Sequence, residues 1–294
     1  MSSIPATIIS TVIPVFSIIG LGYVFARFKK ISFDSIIEIL LYITIPALVI
    51  SSISKSPIIL GEFGLIAISV AIIVAVTALA SYIYLRITKQ QGQRGFYLTT
   101  IFMNAGNLPF PLAFLAFGDE GLAITILFYI VISVLVYTLG IYIAKGSDGM
   151  GEMLKLPLLY SVILAVGLNL SGYRLPEPIM TTCEMLGVAT IPLMLIALGY
   201  QLYSTKITHL RESFAASFIR IAVGLGGGFL AVTILNIDGL LRQIILLSSV
   251  MPSAVITFIF SYRYNVQSEL VASTVSMSTL ISIVTIPALF IWIL

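Results

Sequence analysis

Charge is scarce in this sequence. Asp, Glu, Lys and Arg make up 9% of its 294 residues, where a soluble domain carries about 25%. A fold of this length in water has more surface than so few charges can cover, and water-soluble classes are excluded on that ground. Cysteine and histidine are nearly missing too. Cys183 stands alone, which rules out an intrachain disulfide and any zinc or iron–sulfur spacing. His209, the one histidine, lies in a polar loop between Lys206 and Arg211 and reads as a surface residue. The sequence has no His-Glu-x-x-His, no pair of aspartates within an apolar run, no Ser/His pairing and no ATP-binding motif. These absences argue against an enzyme, a resident cofactor or an ATP-driven pump. The net charge of +3 comes from the loops and does not point to nucleic acid.

What is there instead is hydrophobic length. Hydrophobic residues reach 59%, with mean hydropathy +1.14. Apolar runs fall at about 1–26, 32–54, 62–85, 95–118, 121–144, 156–173, 177–205, 213–236, 240–262 and 268–294. Each can cross about 30 Å of hydrocarbon at 1.5 Å per residue. The expected fold is therefore an all-α polytopic membrane protein of ten transmembrane helices in the lipid bilayer. Arg27, Lys29 and Lys30 follow the first run rather than precede it, the reverse of a signal peptide, so that run is expected to be a retained span. With the first loop cytoplasmic, inside loops hold eleven Lys and Arg and outside loops only Lys55, Arg174 and Arg242. That asymmetry puts both termini on the extracytoplasmic side of the cell membrane.

The longest polar stretch, Lys145 to Lys155, divides the chain into 1–146 and 147–294. Five spans in each half make the halves opposite in orientation, so any internal repeat is an inverted one. Glu38, Leu40, Thr44, Ile45 and Pro46 recur as Glu184, Leu186, Thr190, Ile191 and Pro192 at a constant offset of 146. A shared glutamate, threonine and proline inside apolar runs is a stronger signal than matching leucines.

Within the fourth run stands Asn104-Ala105-Gly106-Asn107-Leu108-Pro109-Phe110-Pro111, in a charge-free stretch over 95–118. Each proline removes a backbone donor and clashes with the preceding turn, so a straight helix cannot pass. Broken backbone at that depth is tolerated only inside protein or along a cavity. The repeat predicts a second break in the ninth run, where Ser248-Ser249-Val250-Met251-Pro252-Ser253-Ala254 stands. Asn107 is expected to cap a half-helix starting near Pro109, and Ser249 one starting near Pro252. Two such half-helices would aim their N-termini at one midplane region and form an anion site without lysine. Asn104, Asn107, Pro109, Pro111, Ser249, Pro252 and Ser253 are the candidate substrate-binding residues. Glu184 and Arg220, charged within spans, are candidates for ion coupling with Na⁺ or H⁺. Helix packing for Glu184 and snorkelling for Arg220 are the bland alternatives. Gly224-Leu225-Gly226-Gly227-Gly228 reads as a close helix contact.

The motif from Asn104 to Pro111 with Phe117-Gly118, together with Ala197-Leu198-Gly199, Met251-Pro252-Ser253 and Tyr264-Asn265-Val266, resembles the auxin efflux carrier (PIN-like) family. The resemblance covers nearly the whole chain. It implies two inverted five-helix repeats with broken, crossing helices four and nine. It also implies a scaffold of helices one, two, six and seven, a mobile transport domain of the other six, and a homodimer through the scaffold. On that picture Asn107, Pro109 and Pro252 contact a substrate carboxylate. The long cytoplasmic loop of plant members is replaced here by about ten residues, and compact relatives are linked with small carboxylates such as malate or malonate.

The reading is an elevator-like secondary transporter of small organic anions; a passive channel or a solute sensor would share many of its features. In a Cys183→Ser background, a Lys89→Cys variant should react with an impermeant maleimide only from the cytoplasmic side, and Arg174→Cys only from outside. The opposite pattern would reverse the topology.

Overall fold

In the computed structural model, residues 4–54, 60–146 and 157–294 are described. Lys55 and most of the polar divider, from 147 to 156, lie outside them. Among the described residues the regular structure is helical, with one isolated β-bridge and no strand. The elements in order are α1 (Ile4–Phe28), α2 (Phe33–Ile39), α3 (Ile45–Ile53), α4 (Leu60–Ile87), α5 (Arg94–Ile101), α6 (Pro109–Leu135) and α7 (Ile141–Lys145). They continue with α8 (Pro157–Ser171), α9 (Glu177–Ser204), α10 (Leu210–Phe218), α11 (Gly224–Ile234), α12 (Gly239–Ser249), α13 (Val255–Arg263) and α14 (Ser268–Ile293).

Among the described residues, seven stretches are long and apolar enough to cross a membrane unaided: Ile8–Phe28, Ser35–Ile53, Glu62–Ile87, Pro109–Lys145, Glu177–Ser204, Leu210–Ile234 and Ser268–Ile293. The difference from ten apolar runs has local causes. The fourth run is cut between α5 and α6, and the ninth between α12 and α13. The fifth run joins the second part of the fourth in one 37-residue stretch. Gly118 interrupts that stretch with φ 68° and ψ −158°, a conformation open to glycine and costly for other residues, so the chain turns there. Described residues of the sixth run form only the 15-residue α8.

Three continuous paths contain π-helical turns, at Leu40–Thr44, Val136–Gly140 and Ile219–Val223. The first precedes Pro46, whose missing N–H would leave a carbonyl unpaired in a regular α-helix; a widened turn relieves that clash. The third carries Arg220.

Two packing groups can be traced. In one, α1 lies along α9, α9 against α3, and α3 against α8. In the other, α4 packs on α11, α10 on α14, and α12 on α6 and α11. Glycine lets the first pair approach closely. A Cβ added at Gly199 would strike the carbonyl oxygen of Ile19, and one at Gly22 the carbonyl oxygen of Ile196. Small residues matter here because lipid tails are as apolar as leucine, so helices associate through close van der Waals contact. Outward faces are apolar, as lipid requires: Leu21 is 66% exposed and Val188 73%.

Gly199→Val should push α1 from α9 and destabilise the protein by about 1–3 kcal/mol. Thermal unfolding in detergent measures it, and an unchanged midpoint would contradict the close approach.

Candidate functional site

The two interruptions meet in the interior. The Asn104 N–H donates to the Pro252 carbonyl at 2.7 Å, and the Ala254 N–H to the Phe102 carbonyl at 3.0 Å. These bonds form an antiparallel bridge between Met103 and Ser253. Each unwound strand thus pairs backbone groups that the other would leave bare. Side chains add to the join: Ser253 Oγ donates to the Thr99 carbonyl at 2.8 Å, and the Ser253 N–H donates to Ser278 Oγ at 3.1 Å. Asn104, Pro252 and Ser253 are buried.

On one side of the join lies a cavity. Asn104, Ala105, Gly106 and Asn107 line it from the first break, and Ala254, Val255, Ile256 and Ile259 from the second. Tyr129, Ser133 and Tyr137 come from the path through α6, and Ile37, Leu40, Leu41, Ile45 and Met194 from the α2–α3 and α9 side. No Lys, Arg, Asp or Glu is among the lining residues. Polar capacity comes from amides. Asn104 Oδ1 accepts the Asn107 N–H at 3.0 Å, which fixes the amide's orientation and leaves Nδ2 with no partner, although the residue is 4% exposed. Nearby begin α6, at Pro109, and α13, at Val255. The first N–H groups of a helix have no intrahelical acceptor, and its N-terminus carries partial positive charge. At α6 no free N–H remains, because Pro109 and Pro111 have none, the Phe110 N–H donates to the Gly106 carbonyl at 3.1 Å and the Leu112 N–H to the Leu108 carbonyl at 3.3 Å. Asn104 Nδ2 and the start of α13, in an otherwise apolar recess, make the cavity suited to a small anion with an apolar body.

On the other side lies Arg220. It is fully buried, and its Nη1 donates to the carbonyls of Thr100 at 2.9 Å and Ile101 at 3.1 Å. Its Nη2 donates to the Ser249 carbonyl at 3.1 Å. Those carbonyls end α5 and α12, the first halves of both interrupted helices. Arg220 therefore does not snorkel. Its guanidinium fork satisfies carbonyls that breaking the helices exposed. Gly224 makes room, since a Cβ there would strike Arg220 Nη2 and lie 2.7 Å from the Ser249 carbonyl oxygen. Glu184 is half-buried on α9, and none of the Arg220 hydrogen bonds goes to it.

Of the expected substrate residues, the cavity lining holds Asn104 and Asn107 but not Pro109, Pro111, Ser249, Pro252 or Ser253. Two capping expectations are corrected. Leu108, not Asn107, is the N-cap of α6, with no side-chain bond; Asn107 is instead the donor to Asn104. Ser249 ends α12 and turns its Oγ back to the Leu246 carbonyl at 2.8 Å. The following helix starts only at Val255, because residues around Pro252 are drawn out to pair with the other break. Tyr129, Ser133, Tyr137 and Met194 escaped the sequence reading, since aromatic, serine and methionine residues within apolar runs have no distinguishing pattern.

A helical bundle with several membrane-crossing stretches, and a largely apolar recess where two helices are interrupted, defines a membrane transport protein rather than an enzyme. The chain belongs to the membrane transport protein family, the auxin efflux carrier (PIN-like) group, whose model matches residues 7–154 and 149–291. It is 30% identical over 272 residues to an uncharacterized transporter of Methanocaldococcus jannaschii, covering 87% of this chain and 88% of that one. It is 27% identical over 294 residues to an uncharacterized transporter of Methanothermobacter thermautotrophicus, covering 94% and 95%. A Rhizobium meliloti protein named "Putative malonate transporter" is 22% identical over 317 residues, covering 97% of this chain and 95% of its own.

Asn104→Ala removes the acceptor for the Asn107 N–H. A loss of about 1–2 kcal/mol is expected without any ligand present, read as a lowered unfolding midpoint; a midpoint equal to wild type would mean the bond carries no weight.

Proposed function

We propose that this protein is a secondary transporter of small organic anions, with a carboxylate bound where the fourth and ninth spans cross. The observation that carries the reading is the unpartnered Asn104 Nδ2 beside the N-terminus of α13 and the positive dipole end of α6. A carboxylate is an acceptor only, and it matches a recess that supplies donors without a full countercharge. The low dielectric of the surroundings strengthens that attraction. The name of the Rhizobium meliloti relative agrees with a carboxylate cargo.

On this reading, α5 with the part of α6 before Gly118 is the fourth span, and α12 with α13 the ninth. The chain then has ten spans in two inverted repeats, 1–146 and 147–294. The group of α1, α2, α3, α8 and α9 is the scaffold, through which a homodimer would form, and the remaining helices move as the transport domain. Support comes from the packing groups and from a cavity lined by residues of both. Sliding of one group past the other would expose the recess to each side in turn, as alternating access requires. The protein would work in the cell membrane with both termini extracytoplasmic. Glu184 remains the proposed coupling residue on the scaffold side, and Glu184→Gln should abolish gradient-driven uptake if it carries the co-ion.

A thermal-shift screen of carboxylates, followed by uptake into proteoliposomes under imposed pH and Na⁺ gradients, tests the function. Bound ligand raises apparent stability. Asn104→Asp keeps an oxygen for the Asn107 N–H but replaces the free donor with an acceptor. It should weaken carboxylate binding at least about tenfold, since a hydrogen bond to a charged group contributes roughly 1.5–3 kcal/mol. Equal affinity in a folded variant, or no carboxylate response in the native protein, would overturn the site.

A further inference from the structure

Arg220 occupies a position with the chemistry of a cation site. Three backbone carbonyls, from Thr100, Ile101 and Ser249, converge on its guanidinium. Two of them close α5 and one closes α12, so the electronegative ends of two half-helices face the same point. In transporters with interrupted helices, unwound carbonyls and half-helix C-termini are the groups that coordinate a coupling cation. Here the positive charge is covalently attached.

We propose that Arg220 is a tethered cation standing where a coupling Na⁺ would otherwise sit, so that the crossover is complete in every state of the cycle without a bound metal ion. Several observations point the same way. The side chain is fully buried, and among the described residues no carboxylate lies within ion-pair distance of it, so the carbonyls are what hold it. Its Nε has no partner, and the two terminal nitrogens alone make the bonds. The π-helical turn Ile219–Val223 presents the side chain, and such turns occur often at functional sites. Gly224 supplies the space that the guanidinium fills. A side chain kept only for packing would need neither three carbonyl acceptors nor a glycine to admit its charged end.

A mobile ion would leave and return with each cycle and link transport to its gradient. A tethered one cannot leave, so it contributes the same charge whether substrate is bound or absent. This inference rests on the join between the two breaks and not on which anion is carried, and its test needs no substrate.

The purified protein, free of carboxylates, would be melted in matched sodium chloride and choline chloride. The wild-type midpoint should be the same in both. Arg220→Ala should lower the midpoint in choline chloride by about 5–10 °C. Sodium chloride, or millimolar guanidinium chloride as a detached replacement for the side chain, should recover at least half of that loss. Arg220→Lys keeps the charge and should stay insensitive to Na⁺. A wild-type protein stabilised by Na⁺ over choline would overturn the proposal where Glu184→Gln, which removes the proposed co-ion site, is stabilised equally. So would an Ala variant that melts alike in all three salts, or a Lys variant as responsive to Na⁺ as the Ala variant. If the Ala variant does not fold, the wild-type and Lys arms still decide.

Discussion

The structure depends on how backbone polar groups are satisfied where two helices stop inside the membrane. An unpaired N–H or C=O in hydrocarbon costs several kcal/mol, and each break releases a set of both. The solution divides them by sign. The linking residues pair with each other, Asn104 with Pro252 and Ala254 with Phe102. The exposed carbonyls on one side go to a single arginine. On the other side the free Asn104 Nδ2 and the start of α13 face a cavity. Nothing in that division needs a metal ion, and only one strong charge takes part.

That arrangement connects stability to function. The groups that must be satisfied for the protein to fold are of the same type as those left facing the cavity. The carbonyl side is held by Arg220 and the linking residues by their mutual backbone bonds. The recess is otherwise apolar, built from Leu40, Ile45, Met194 and two tyrosines as well as the amides. It draws residues from both packing groups.

Particular elements separate what was legible from what was not. The breaks themselves were readable from Pro109, Pro111 and Pro252 taken with the asparagines, glycine and serines beside them, since Pro14, Pro192 and Pro287 sit inside continuous helices. Membrane residence and helix content were readable from hydrophobic length. Asn104 and Asn107 were readable as lining residues because an amide inside an apolar run has few other uses. Ser249 and Ser253 carried the same kind of signal, yet they serve the join and not the cavity. Capping depends on the residue at which the chain re-enters the helix, and pairing with the distant break moved that point to Val255. Arg220 was visible as a buried charge, but its partners lie 29 to 120 positions away in the chain.

The sequence by itself determined the solvent this chain folds in, the places where its helices fail and the residues with polar capacity at those places. Those are local properties, set by side-chain transfer energies and by the chemistry of proline. Tertiary structure alone decided which donor meets which acceptor: that Asn104 keeps a free amide, that Ser249 turns its carbonyl to Arg220, and that tyrosines and methionine close the recess. Such pairings depend on elements far apart in the chain coming within about 3 Å of one another, and no periodicity or spacing along one segment encodes that distance.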